Sequence, residues 1–414
     1  MKELCDKNNC TACSACENIC NKNAIVQIKR WDGSWYMTID EDRCIDCNLC
    51  RKVCPSLNTK VSNKPMKAFA AWSKDSDIHR KSASGGIASE LYLFAIRNGW
   101  SFVGVQLDER FDAYYCMGET ECDIEKFRNS KYSFSNMGDV YKKIEQVIKK
   151  NKRVLFIGLP CHVSAVKSYF TLKKLNMDYL VTVDLVCHGT PSPDFLKQHI
   201  KTVEEKKGKK TSICYFRDPN YNTDRYFFTL YDVNGNRLYK KKIKSDDTYQ
   251  IGYHSALIYR DSCYSCMYAK REREGDITIS DYHGLGSKVE YRKSRYAVSC
   301  ILVNTVKGKI IVEQLNDEKR LQLFERPLLE PLEGEPQFNH PSVAPVERET
   351  FIKEYIKYQS YDMAAERAFK EIKRQSIRDG YIDFNLIRIR LSSHISPNQK
   401  SRIKKILKLF LHKL

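Results

Sequence analysis

The sequence predicts an α+β cysteine-rich module, then an α/β domain with a mixed sheet, then a helical tail. Three observations carry this reading. Nine of the seventeen cysteines fall in the first 54 residues, strand-like and helix-like stretches alternate from 66 to 330, and a basic helical pattern follows. The expected boundaries are 1–60, 66–330 and 331–414, with the polar run from Asn58 to Pro65 as the first linker.

The 414 residues are 42% hydrophobic, enough for ordinary cores and too much for a disordered chain. No apolar run reaches the roughly eighteen residues of a membrane span. The N-terminus, MKELCDKNNC, is polar and gives no sign of a signal peptide. Thiols kept reduced for metal ligation imply a cytoplasmic location, with a peripheral position at the inner membrane face as the alternative. The net charge of +19 suits polyanions, anionic lipid or acidic proteins, and equally a surface kept basic for solubility.

Within the module, Cys10, Cys13, Cys16 and Cys20 precede Cys44, Cys47, Cys50, Cys54 and Pro55. Both quartets have the C-x2-C-x2-C-x3-C spacing of bacterial two-cluster ferredoxins, in which the fourth cysteine ligates the other cluster. One [4Fe–4S] set is therefore Cys10, Cys13, Cys16 and Cys54. The other is Cys44, Cys47, Cys50 and Cys20. Two cubanes side by side pass single electrons; structural zinc and purely structural clusters are the alternatives. Ile25–Ile39 reads as a hairpin turning at Asp32-Gly33.

In the middle region Phe102–Leu107, Val154–Ile157, Leu180–Val186 and Ile277–Ser280 read as buried strands, with helices at Ile87–Arg97 and Val163–Phe170. Sites in such sheets collect beyond the carboxyl ends of strands. Gly158-Leu159-Pro160-Cys161 and Cys187-His188-Gly189 lie there. With the Cys263–Cys266 pair, Cys161 and Cys187 make four thiolates for a further [4Fe–4S] cluster or a structural zinc, which spacing alone leaves equally open. Cys5, Cys116, Cys122, Cys214 and Cys300 fit no ligand pattern and read as buried inert thiols. Ser82-Ala83-Ser84-Gly85-Gly86 opens a helix, as a phosphate-binding turn or an ordinary N-cap.

Several stretches in this order resemble the beta subunit of coenzyme F420 hydrogenases and dehydrogenases. They are Ala83–Ile87, Lys131–Asn136, Gly158–Cys161, Asp184–Gly189, and Cys263 to Cys266 followed by Gly275-Asp276-Ile277. The resemblance implies a domain with FAD and one [4Fe–4S] cluster that exchanges hydride or electrons with a deazaflavin or another organic substrate. It implies a cluster on Cys161, Cys187, Cys263 and Cys266. It places flavin contacts at Ser84, Gly85, Gly86, Lys131, Tyr132, Ser135 and Pro160. The sequence departs from the commoner pattern at His162, where Gln is usual, and at Asp281-Tyr282-His283-Gly284, where Asp-Phe-Trp-Gly is frequent. His188 and His283 are the candidate proton donors, with locally satisfied histidines as the alternative.

At the C-terminus Ile403, Ile406, Leu407, Phe410, Leu411 and Leu414 share one helical face, and Lys404, Lys405, Lys408 and Lys413 occupy others. Residues 397–414 thus suit either an anionic membrane surface or packing on protein; nucleic acid is not an expected partner. The expected function is an iron–sulfur flavoprotein oxidoreductase working between a ferredoxin or other electron-carrier protein and a small-molecule substrate. The alternatives are a non-catalytic electron-transfer subunit of a larger complex and a membrane-peripheral interaction protein with structural clusters.

Overall fold

The computed structural model describes residues 1–58, 62–221, 226–243, 245–292 and 297–381. The basic segment 397–414 lies outside the described residues. Among them, no helix is long and apolar enough to cross a membrane.

The N-terminal module is an antiparallel sheet with two one-turn helices. Its strands are β1 (Lys2–Glu3), β2 (Ile25–Lys29) and β3 (Trp35–Ile39), ordered β1-β3-β2. Gly33, at φ +81°, turns the hairpin in a conformation that favours glycine. The helices Ala15–Ile19 and Leu49–Val53 repeat one design: each carries the third cysteine of a quartet and ends on the fourth, Cys20 or Cys54, as C-cap.

The large sheet is built from β4 (Lys67–Ser73), β5 (Ser101–Leu107), β6 (Ala113–Gly118), β7 (Ser135–Asn136), β8 (Val154–Gly158) and β9 (Leu180–Leu185), together with three later strands. A separate antiparallel sheet of β10 (Ile213–Tyr215), β11 (Phe227–Tyr231) and β12 (Arg237–Lys242) intervenes before β13 (Ile277–Asp281), β14 (Ser299–Val303) and β15 (Leu321–Arg326). The nine strands run in the order β15-β4-β14-β13-β9-β8-β5-β6-β7. Neighbours among β5, β8, β9 and β13 pair in parallel, and β4, β14 and β15 close one side antiparallel, so the sheet is mixed as expected. Every residue of β8 and of β14 is buried, the continuous apolar reading of a strand covered on both faces.

Two sequence expectations change. The helix expected at Val163–Phe170 spans Pro160–Leu172, because Pro160 fits a helix's first turn, where its missing N–H leaves no bond unmade. Cys161 and His162 therefore lie in that turn and not in a loop. The region after 331 also contributes to the interior: Phe351, Tyr355 and Tyr361 share a cluster with Phe195, Phe228 and Tyr249.

The module is docked on the α/β region through a common core. Cys10, Cys13, Cys16 and Val53 belong to the same apolar cluster as Tyr141, Val163, Tyr169 and Phe170. Tyr141 Oη donates to the Cys13 carbonyl at 2.6 Å, and Asn18 Nδ2 to the Gly138 carbonyl at 2.8 Å. Trp31, from the hairpin, packs on Phe195, Phe351 and Tyr355.

The C-terminal helices are held by a buried charge network. His199 Nδ1 lies 2.8 Å from Asp362 Oδ1 and its Nε2 3.1 Å from Asp247 Oδ2. Burial alone would lower this imidazole, but the Asp247 and Asp362 carboxylates outweigh it and raise it to about 10. A histidine raised on folding stabilises fully below its unfolded value and loses that contribution as pH climbs through its folded value. Anaerobic urea titrations should thus show stability falling from about pH 6.5 to pH 10, with a smaller fall in His199→Leu. That variant, which strands two carboxylates, should lose about 3–5 kcal/mol at neutral pH. A loss under about 1 kcal/mol would contradict the network's role.

Candidate functional site

Each expected cysteine set lines one cavity. Cys20, Cys44, Cys47 and Cys50 surround about 450 Å³ at the module's surface, where Cys47 is exposed. Cys10, Cys13, Cys16 and Cys54 line about 280 Å³, and all four are buried. Cys161, Cys187, Cys263 and Cys266 line about 530 Å³ beyond the carboxyl ends of β8 and β9. Each one-turn helix thus contributes to both module cavities: Cys16 lines the buried one and the C-cap Cys20 the surface one, whereas Cys50 lines the surface one and the C-cap Cys54 the buried one.

Cys5 is buried as expected. Read as an inert thiol, it lines the second cavity beside Cys10 and Cys54. Its position five residues before the quartet gave no spacing signal. Cys122 departs from expectation, being exposed on the helix Glu121–Phe127. Cys214 and Cys300 are buried as expected.

The donor chemistry fits a cluster. Burial pushes the Cys13 and Cys187 thiols up to about 12, and neighbouring cysteines push the same way. Thiols so placed ionise against the positive charge of a metal centre, which makes binding and folding one equilibrium.

The core cysteines come from three segments, and buried polar contacts fix their meeting. Arg273 Nη2 lies 2.7 Å from Asp184 Oδ2, both side chains almost fully buried. Arg273 also donates to the carbonyls of Tyr268 and Lys270. Asp184 precedes Cys187 by three residues, so this pair sets the Cys187 loop against the Cys263–Cys266 segment. Asp261 ties in the rest of the chain: Arg30 of the module reaches it at 3.4 Å and Arg348 of the helix Glu347–Tyr358 at 2.8 Å.

Beside the core cavity lies a second polar group of residues. Arg217 donates twice to Asp281, at 2.7 and 3.2 Å, and to the Ala83 carbonyl and Tyr132 Oη. Burial would raise Asp281, but Arg217 holds it below the usual carboxylate range. Gly85 N donates to Ser299 Oγ, and Gly86, at φ +85°, is the N-cap of the helix Ile87–Arg97. Tyr132 stacks on Tyr253 at 4.2 Å. Arg217 escaped sequence reading because it follows a three-residue strand of a sheet with no strong pattern.

The remaining expected residues are scattered around these two groups. Pro160 and His188 line the core cavity. His188 Nε2 and His283 Nε2 stand 3.7 and 3.5 Å from one buried carboxylate oxygen, Glu335 Oε2. Ser135 is buried in β7, paired with Ala113. Lys131 does not present its ammonium to the Arg217 group. It donates to the carbonyls of Lys126, Phe127, Arg128 and Asn129, capping the end of the helix Glu121–Phe127, and burial pushes it down to about 7. His162 is buried, with Nδ1 3.0 Å from Tyr115 Oη.

A cysteine-built module joined to a mixed α/β sheet with a further cysteine set at its carboxyl edge defines an iron–sulfur redox protein. The comparisons agree. Residues 9–58 match the 4Fe-4S dicluster domain, and residues 68–142 and 151–327 match the N-terminal and C-terminal parts of the coenzyme F420 hydrogenase/dehydrogenase beta subunit. The chain belongs to the coenzyme F420 hydrogenase/dehydrogenase beta subunit family, with a dicluster domain at its N-terminal end. No curated protein matches it. Among solved structures, one similar chain is from the F420-reducing [NiFe] hydrogenase complex from Methanosarcina barkeri. It is 18% identical, with a TM-score of 0.40, over 74% of this chain and 92% of that one.

The difference in exposure between the two module quartets is testable. Limiting chelator should first remove about four iron atoms, those held by Cys20, Cys44, Cys47 and Cys50. Cys47→Ala should lack that fast fraction at the outset. Uniform release of all iron in a single phase would contradict the ordering.

Proposed function

We propose that the chain is an iron–sulfur flavoprotein oxidoreductase. It passes electrons between a ferredoxin-type carrier protein and an organic two-electron acceptor, coenzyme F420-like or another small molecule. The observation that carries this reading is the serial arrangement of three cysteine-lined cavities. The exposed one faces outward, the buried one follows, and Thr11 lines both the buried and the core cavity. A structural staple needs no such series; a conductor of single electrons does.

Residues around Arg217 fit a flavin with a phosphate. Gly86 leaves the helix Ile87–Arg97 without a side-chain cap, and first-turn amides of this kind hold phosphate. Ser133 Oγ and Gln250 Nε2 are buried without a hydrogen-bond partner. Ser133 follows Tyr132, and Gln250 Oε1 lies 3.1 Å from His254 Nε2, whose ring packs edge-on against Tyr132. Unsatisfied buried polar groups of this sort call for a polar ligand. Flavin chemistry converts single electrons into pairs. Around it, Arg217 orients the Ser84–Gly86 turn through the Ala83 carbonyl, and Tyr132 and Tyr253 supply a stacked wall. His188 and His283 share Glu335 at the mouth, where imidazoles on one carboxylate can hold a proton for the substrate. Lys131 contributes by fixing the loop before Tyr132.

Anaerobic purification with iron, sulfide, zinc and flavin measured together tests this proposal. It should give about twelve iron atoms from three cubanes and about one FAD per chain. Cys187→Ala should retain about eight iron atoms. Eight irons with stoichiometric zinc in the wild type would remove the core cluster, and absence of flavin would remove the reaction. Flavin-dependent turnover by the isolated chain with an artificial donor separates an enzyme from a pure electron-transfer subunit.

A further inference from the structure

Arg260 is a buried cation without a carboxylate. Its exposure is 4%. Its Nε donates to Thr190 Oγ1 at 3.3 Å, and Nη1 and Nη2 both donate to the Thr11 carbonyl at 3.2 Å. Its guanidinium lies 3.8 Å from the centre of the Phe134 ring. Among the described residues it makes no ion pair. The adjacent carboxylate, Asp261, is already shared by Arg30 and Arg348.

A buried charge in that state is costly unless a counter-charge is close. The surroundings supply cysteines on two sides. Arg260 lines the core cavity with Cys161, Cys187, Cys263 and Cys266. Through Thr11 it grips the backbone between Cys10 and Cys13, two ligands of the buried module set. Arg273 also lines the core cavity, but Asp184 neutralises it. The buried carboxylate of Asp32 feels this charge, but its oxygen is taken up by Ser34 and it forms no ion pair with Arg260. Arg260 therefore brings an unpaired positive charge to the boundary between two thiolate quartets.

We infer that Arg260 is the electrostatic coupler of the buried module cluster and the core cluster, stabilising the reduced form of both. The inference rests on the three-cluster reading proposed above. A cubane held by four thiolates is net negative, and reduction adds one more negative charge. Net charge and local hydrogen bonding set such potentials. A fixed cation between two such centres raises both potentials and so favours their reduced forms. Its role is positional: it touches the loop of one cluster and the wall of the other, and takes no part in bond making.

The test is potentiometric titration, followed by low-temperature paramagnetic resonance, of anaerobically purified full-length wild type, Arg260→Gln, Arg260→Met and Arg260→Lys. Iron is counted in each sample. Wild-type iron content decides the three-cluster reading separately: about eight atoms would sink that reading, whatever the variants do. With about twelve present, both neutral variants should show two of the three potentials lowered. The reduction equilibrium should shift at least tenfold, 59 mV for one electron. Arg260→Lys should fall by less. If the neutral variants lose iron while Arg260→Lys keeps it, the same need for charge appears in assembly, which supports the inference. Unchanged potentials in an iron-replete neutral variant would overturn it. So would a lysine variant that loses iron or shifts as far as the glutamine variant.

Discussion

The core of the molecule depends on the buried pair of Asp184 and Arg273. The four core cysteines are spread over more than a hundred residues, and no local motif could gather them. Parallel pairing of β8 with β9, from Val154 opposite Leu180 to Gly158 opposite Asp184, brings the first two segments side by side. Arg273 then draws the Cys263–Cys266 segment in, binding Asp184 and the carbonyls of Tyr268 and Lys270 at once. Removing either partner would leave a charge in the interior, at about 3–5 kcal/mol.

The same logic of committed charge runs through the rest of the site. Asp261 holds Arg30 from the module and Arg348 from the C-terminal helices, so three parts of the chain converge one turn from Cys263. Arg217 is matched with Asp281, and His199 with Asp247 and Asp362. Against that background Arg260 differs in having carbonyl, hydroxyl and ring partners but no carboxylate.

Much of this was legible in the sequence, for reasons that differ by element. The module's quartets were readable because cubane ligation imposes a short fixed spacing. The central strands were readable because burial on both faces leaves uninterrupted apolar runs, as in Val154–Gly158. The helix start at Pro160 was hidden: the Gly158-Leu159-Pro160 run looks like a loop until its proline is placed in the first turn. The antiparallel strands β4, β14 and β15 are set by pairing between residues over two hundred positions apart, which no local pattern encodes. Arg217 was missed for the same reason, since its partners Ala83, Tyr132 and Asp281 are distant in sequence. The expected role of Lys131 rested on resemblance, and the helix end at Phe127, which takes up its ammonium, lies in a segment with no telling periodicity.

The proposed electron path requires thiolate-bound cubanes in series from the surface to the carboxyl edge of the large sheet. Low-temperature paramagnetic resonance of dithionite-reduced, oxygen-protected protein tests it most directly. Overlapping signals of reduced cubanes, broadened by magnetic interaction between neighbouring centres, are the predicted result. A colourless protein without a signal, or non-interacting signals from centres too far apart to communicate, would contradict it.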